Sequence, residues 1–342
     1  MNKKSYENAI KKLKSFNTLV FGGGGFKGLS YVGALNALRD KLGVDYGART
    51  HKLENICGVS IGAFFGLLIV LGYNVTEISL VCQTLDPEKI FDINPIHLLH
   101  TSSLDDGKRM EEIIIKILEK KGFSKNATMD MIYKASDINF HVVITNISTM
   151  SVEHITSKTH GNFSLLEAML STMGLPLMFP ARTNNPQRHV WVDGGILENF
   201  PMNRYPAEST LGFNFKWSIA PFLEGQQKDL FSYISRIIQT NQLPLEIMTW
   251  DALSIEHKSN TIVIDCETIT ALGKNNLVTF SINKSDREFL FIKAREAVEN
   301  KIEDWEHGIP YLLETRDPGK YLSITRNLPI YLENAVTKKG SF

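Results

Sequence analysis

Residues 56–73, ICGVSIGAFFGLLIVLGY, are almost wholly apolar, and they limit what this chain can become. A run of that length is close to the minimum for a membrane-spanning helix. Gly58, Ser60 and Gly62 interrupt its first third. The unbroken part, Ile61 to Tyr73, reaches only about 20 Å at helical rise, short of a hydrocarbon layer of roughly 30 Å. The stretch therefore reads as a strand end, a tight turn and a helix apolar on all sides. Such a helix has to be covered all round, which demands a large layered core.

The remainder supplies layers of that kind. NTLVF at 17–21 is a short strand that runs into four glycines. From 29 to 42, Leu29, Val32, Leu35, Leu38 and Leu42 fall on one helical face. A second strand is expected at 53–58. Asn74 with Glu77 reads as a capping pair for a helix over 75–85, and Ser103 with Asp106 as the cap of a helix over 105–121. Helices are also expected over 128–136, 163–173 and from Ser285 to about Trp305. Strands at 139–147 and 151–156 form a hairpin, and shorter ones lie at 190–192, 211–217 and 260–265. Pro87 and Pro95 bracket a loop containing His97 and His100, and Pro244 breaks a helix around 230–240. Strand alternating with helix implies an α/β chain with a mainly parallel sheet covered on both faces. No Gly-, Pro- or Ser-rich linker divides it. A lead-in segment at 1–16, a core at 17–217 and an extension at 218–342 packed on that core read as one domain overall.

Charge narrows the partners. Lys+Arg and Asp+Glu number 37 each, a balance that argues against nucleic acid. Cys57, Cys82 and Cys266 are widely spaced, with no CxxC or Cys/His cluster, so neither a disulfide framework nor a metal site is expected. MNKKSYENAIKKLKSF has no apolar core and is not a secretory signal. Its five lysines against one glutamate suit an anionic membrane surface, although a solvated lead-in helix is the simpler reading. A reducing, cytoplasmic location fits best, with membrane association as the second reading.

Three short motifs carry chemistry. GGGGFKG at 22–28, between a strand and a helix, directs free backbone N–H groups at one spot beside a positive helix terminus, a device for holding negative charge. Gly23-x-Gly25-x-x-Gly28 also satisfies a dinucleotide fingerprint, with Asp45 or Glu54 as the ribose acid, and a tight turn without ligand is a third reading. Gly58-Val59-Ser60-Ile61-Gly62 stands between a strand and an apolar helix, the context of a nucleophile elbow. Asp193-Gly194-Gly195 places an acid at a strand end, where an ordinary Asp-Gly turn is the bland alternative. Together the three supply a hydroxyl nucleophile, a base and an oxyanion cradle, the needs of acyl transfer. His257 and His307 are available for a Ser–His–Asp triad, but neither carries a loop or strand-end signal, so a directly acting Asp193 is simpler.

GGGFKG, GVSIG and DGG, in that order and spacing, resemble the patatin-like phospholipases. The block 171–180, STMGLPLMFP, and Asn199 with Pro201 after the DGG resemble the same family, so the likeness covers about residues 17–217. It implies a three-layer α/β/α patatin-like fold and metal-independent, cofactor-free hydrolysis of phospholipid or other lipid esters, with transient contact at a membrane surface. By position, Ser60 matches the nucleophile, Asp193 the dyad acid, and Gly23, Gly24 and Gly25 the oxyanion glycines. Lys27 matches a position usually basic in the family, which suits a lipid phosphate as well as a solvated helix-start lysine. Gly22 stands where the family more often has a serine or another small residue. Leu175, Leu177, Met178 and Phe179 suit an acyl channel, with core packing the default reading.

Overall fold

Strand β1, Thr18–Phe21, is buried along its whole length in the middle of a seven-stranded sheet. The computed structural model describes residues 3–50, 52–85, 90, 92–216, 230–266 and 284–307. The other strands are β2 (Asn55–Gly58), β3 (Asn139–Asn146), β4 (Ser151–Thr156), β5 (Trp191–Asp193), β6 (Thr210–Phe215) and β7 (Thr261–Ile264). Their order is β4-β3-β2-β1-β6-β7, parallel from β3 through to β7, with β4 antiparallel at one edge.

Alternation along the strands separates two buried faces. Leu19, Phe21, Ile56, Phe140, Val142, Leu211 and Phe213 join the large core on one face. The helices Ser30–Leu42, Ile61–Val70 and Lys284–His307 cover it. The Ile61–Val70 helix is buried from Gly62 to Val70, which accounts for its lack of any polar stripe. Val20, Cys57, Val59 and Val143 point the other way, against Phe200, Met202 and Leu253. That second layer is built by the chain after Asp193 and by the helices Leu230–Ala252 and Ile255–Ser259.

Register explains how distant motifs meet. β2 stops at Gly58, opposite Val142 of β3. Ile144, two residues further along β3, pairs with Glu153 of β4 on one side and with Asp193 of β5 on the other. β5 therefore enters the lane that β2 vacates, antiparallel to it, and brings Asp193 up to the end of β2.

Four local expectations change. The lead-in is not simply solvated: in the helix Lys3–Ser15 and just after it, Ala9, Leu13 and Phe16 are buried, and Phe16 meets Trp305 at 6.0 Å between ring centroids. This segment stands at the N-terminal ends of the parallel strands, away from the glycine loop. Pro95–Thr101, expected as loop, is a short helix, because Asn94 caps it and proline suits a first turn. The next helix starts at Lys108, since Asp105 and Asp106 turn back to accept from Gly107 N and Lys108 N. Pro244 lies inside a continuous helix, Leu230–Ala252. A proline removes one helical bond, and here side chains on both sides of it, Gln242 and Glu246, are anchored to the rest of the molecule. Among the described residues, no helix is long and apolar enough to cross a membrane. The tail after Pro318 and the 218–229 part of the extension lie outside the described residues.

Candidate active site

Ser60 follows β2 and caps the Ile61–Val70 helix with φ 53° and ψ −125°, a backbone conformation that a non-glycine residue adopts only under constraint. Small neighbours make the turn possible. A Cβ on Gly58 would run into Ala63, and one on Gly62 into the carbonyl oxygen of Phe21. Ser60 N–H donates to Thr172 Oγ1 at 2.9 Å, and the Thr172 hydroxyl donates to Val143 O at 2.6 Å, so a buried threonine pins the strained residue to β3.

Asp193 ends β5 and is only 5% exposed. Its N–H donates to Gly174 O at 3.0 Å, and its Oδ1 accepts Gly195 N–H at 2.8 Å. The Ser60 side chain stands near enough to the same carboxylate to favour its ionised form. Burial raises the Asp193 carboxyl to about 6, and the nearby Ser60 hydroxyl and the Gly195 N–H offset part of that rise. No cation among the described residues contributes to the balance. The result is an acid that is ionised at neutral pH yet a stronger base than a solvated aspartate.

The glycine loop closes the site. The Gly22 N–H continues the sheet by donating to Phe213 O at 2.9 Å. Of the three amides expected to face an oxyanion, that of Gly23 already donates to Asn199 O at 3.2 Å. Those of Gly24 and Gly25 have no acceptor among the described residues. Ser60 is close by: its Cβ lies 3.4 Å from where a Cβ of Gly23 would stand. Hydroxyl, carboxylate and free amides thus gather at the C-terminal end of the parallel strands.

The remaining candidates stand farther out. Lys27 is half-buried in the 3-10 turn Gly25–Leu29, and its charge is felt by the Cys266 thiol just beyond β7. Phe179 is half-buried on the loop that also supplies Gly174 to Asp193, while Met178 beside it is fully buried core. Asp45 accepts from the amides of Ala48 and Val75, and Glu54 sits at the N-terminal end of β2, so neither faces the glycine loop. The His257 ring lies 2.8 Å from Ser254 Oγ and 2.9 Å from Tyr205 O. The His307 side chain lies outside the described residues.

The bond from Ser60 to Thr172 was not marked by any motif, although Thr172 lies in the family-like block 171–180, and the anchoring contacts of the helix Leu230–Ala252 were not marked. Nor was a buried polar chain on the sheet's second face. There Tyr205 Oη meets His141 Nδ1 at 2.6 Å, and His141 Nε2 meets His154 Nδ1 at 2.8 Å. His154 Nε2 lies 3.1 Å from Glu198 Oε2, and Arg204 pairs with Glu198 at 3.1 Å. Burial, then the neighbouring His154 and Arg204, hold His141 down at about 3 and therefore neutral. The alternating strand pattern NFHVVITN holds the one visible signal, a histidine on a buried strand.

An α/β sheet with a strained serine at a strand–helix turn and a buried acid entering the same lane defines a class of fold and site. Its membership is settled by comparison: the patatin-like phospholipase model matches residues 19–204, and the chain belongs to that family. It is 26% identical over 197 residues to a probable lipid hydrolase, 463L, of Invertebrate iridescent virus 6; the match covers 56% of this chain and 64% of the viral protein. It is also 26% identical over 201 residues to the uncharacterized protein YqhO of Bacillus subtilis (strain 168), covering 54% of this chain and 64% of YqhO. Among solved structures, VipD from Legionella pneumophila is similar in fold, with TM-score 0.56 and 16% identity over 85% of this chain and 67% of VipD.

Proposed function

We propose that the chain hydrolyses carboxylic esters of lipids, phospholipids foremost, through Ser60 and Asp193. Asp193 accepts the Ser60 proton as the Ser60 oxygen attacks the ester carbonyl. The tetrahedral oxyanion is received by the free amides of Gly24 and Gly25, with Gly23 bracing the loop. Protonated Asp193 then gives its proton to the leaving alcohol, and an acyl-serine remains. Water repeats the cycle: Asp193 takes its proton, the acid departs, and Ser60 recovers its hydrogen. Side-chain and peptide groups carry every step.

One observation supports this reading above all: the Ser60 hydroxyl stands beside a buried carboxylate that accepts the Gly195 peptide N–H. Burial supplies what a solvated aspartate lacks, a raised affinity for the serine proton. Lys27 and Phe179 are proposed at the edges, for a lipid phosphate and an acyl chain. The lipid class and the membrane contact are inferred from family membership and from the name of the viral relative.

The test is a panel of defined phospholipids and neutral esters incubated with the wild-type chain and with Ser60→Ala. The expected result is free fatty acid and its lysolipid, identified by mass, from wild type alone. Equal release by Ser60→Ala would sink the proposal.

A further inference from the structure

Two side chains on the Leu230–Ala252 helix, outside the family-matched residues, reach the loops of the candidate site. Gln242 Nε2 donates to Gly195 O at 2.9 Å, and Glu246 Oε1 accepts from Asn199 Nδ2 at 2.8 Å. At i and i+4 they share one helix face. Asn199 is the hub between the loops. Its Nδ2 also donates to Gly23 O at 3.2 Å, and its backbone oxygen accepts Gly23 N–H at 3.2 Å. Its Oδ1 occupies the space where a Cβ on Gly23 or on Gly195 would stand.

An asparagine amide is nearly symmetric in shape, and its hydrogen-bond partners decide which end is oxygen. An ionised carboxylate only accepts. Glu246 therefore requires the NH2 group on its own side, which places Oδ1 against the two glycines. The same NH2 group holds the Gly23 carbonyl. In a trans peptide the C=O and the following N–H point in opposite directions. A Gly23 carbonyl held toward Asn199 thus turns the Gly24 N–H away from it, as a donor without an acceptor among the described residues.

We propose that Glu246 is a positioning residue: it fixes the Asn199 amide, which sets the Gly23–Gly24 peptide and aims the Gly24 N–H at the reacting oxygen. The catalytic half of this inference rests on the Ser60–Asp193 reading; the structural half does not.

The experiment compares Glu246→Ala, Glu246→Gln and Met248→Ala in the full chain. It reads kcat and KM on a soluble phospholipid together with the Gly24 amide signal and its hydrogen exchange by NMR. Glu246→Ala is expected to lower kcat roughly 10- to 100-fold with KM within about twofold, the signature of a displaced transition-state donor. Its Gly24 amide shifts and exchanges faster. Glu246→Gln keeps an accepting oxygen and recovers kcat to within about threefold. Met248, 67% exposed on the helix's outer side, is the control, and its alanine variant matches wild type. Should Glu246→Ala not fold, Glu246→Asp, with its carboxylate drawn back by one methylene, is read in its place. Wild-type kcat with an unmoved Gly24 amide, or a change in KM alone, overturns the proposal. If wild-type hydrolysis proves independent of Ser60, the function reading fails, and the Gly24 amide signal alone decides the role of Glu246.

Discussion

Asp193, at the end of β5, and Glu198, on the loop that follows, are carboxylates largely withdrawn from water, and their surroundings drive them in opposite directions. Burial raises Asp193 to about 6, offset in part by the Ser60 hydroxyl and the Gly195 N–H and by no cation among the described residues. Burial also opposes ionisation of Glu198, but contacts from His154 and Arg204 and the charge of Arg204 outweigh it, and its carboxyl ends below the usual range. A buried acid with a cation beside it is a structural anchor. A buried acid denied one keeps its appetite for a proton. The difference separates the residue proposed for chemistry from the one that ties its loop to β4.

The largest effect should come from Asp193→Asn, which removes the base while keeping the shape. Ester turnover should fall by roughly 10³-fold or more, measured as kcat on the substrate found with the lipid panel. Retained turnover would erase the distinction between the two acids.

Next in size is a stability difference of opposite sign. The folded chain holds the Asp193 proton more tightly than the unfolded chain does. Wild-type stability should therefore fall as pH rises from about 4 to about 6, by about 3 kcal/mol if two units separate the states. Asp193→Asn escapes that loss, so it should be the more stable protein at pH 8 and equal to wild type near pH 4, by chemical denaturation. Activity should rise through the same window, because the base must be ionised to work.

Glu198 should slope the other way. Its stabilising pairs are present above the ordinary carboxylate value and vanish as pH falls through its depressed one. Glu198→Gln is expected to cost about 1–3 kcal/mol at neutral pH, a gap that closes in acid, with kcat kept within about threefold. A rate loss as large as that of Asp193→Asn would make Glu198 part of the chemistry. The smallest effect belongs to His257→Ala: kcat within about twofold of wild type, since its ring is held by Ser254 and the Tyr205 carbonyl. A tenfold loss would instead bring back a histidine-based triad.

Much of this architecture was legible before any coordinates. Glycines two residues either side of Ser60 announce a turn too tight for side chains, and the structure puts Ala63 and the Phe21 carbonyl where those side chains would go. The fully apolar 61–70 run announces burial on all sides, and the helix is buried throughout from Gly62. Gln242 and Glu246 were silent, and so was the partner of Thr172 within its family-like block, because a polar residue on a helix carries no periodic or spacing signal of what it will touch. Pro244 misled for a related reason: a local rule against helix continuation does not register anchors made on either side of it.

What the amino-acid order determined is the inventory and the local geometry: a strained serine, an acid ending a strand, glycines that leave amides bare. These follow from sterics within a few residues. Only the tertiary structure decided that β5 would slide into the lane left by β2, that Asn199 would bridge two glycine turns, and that Asp193 would be buried without a cation while Glu198 received one. Those outcomes depend on which distant segments share a dry space, and desolvation and pairing are properties of that space rather than of any residue read alone.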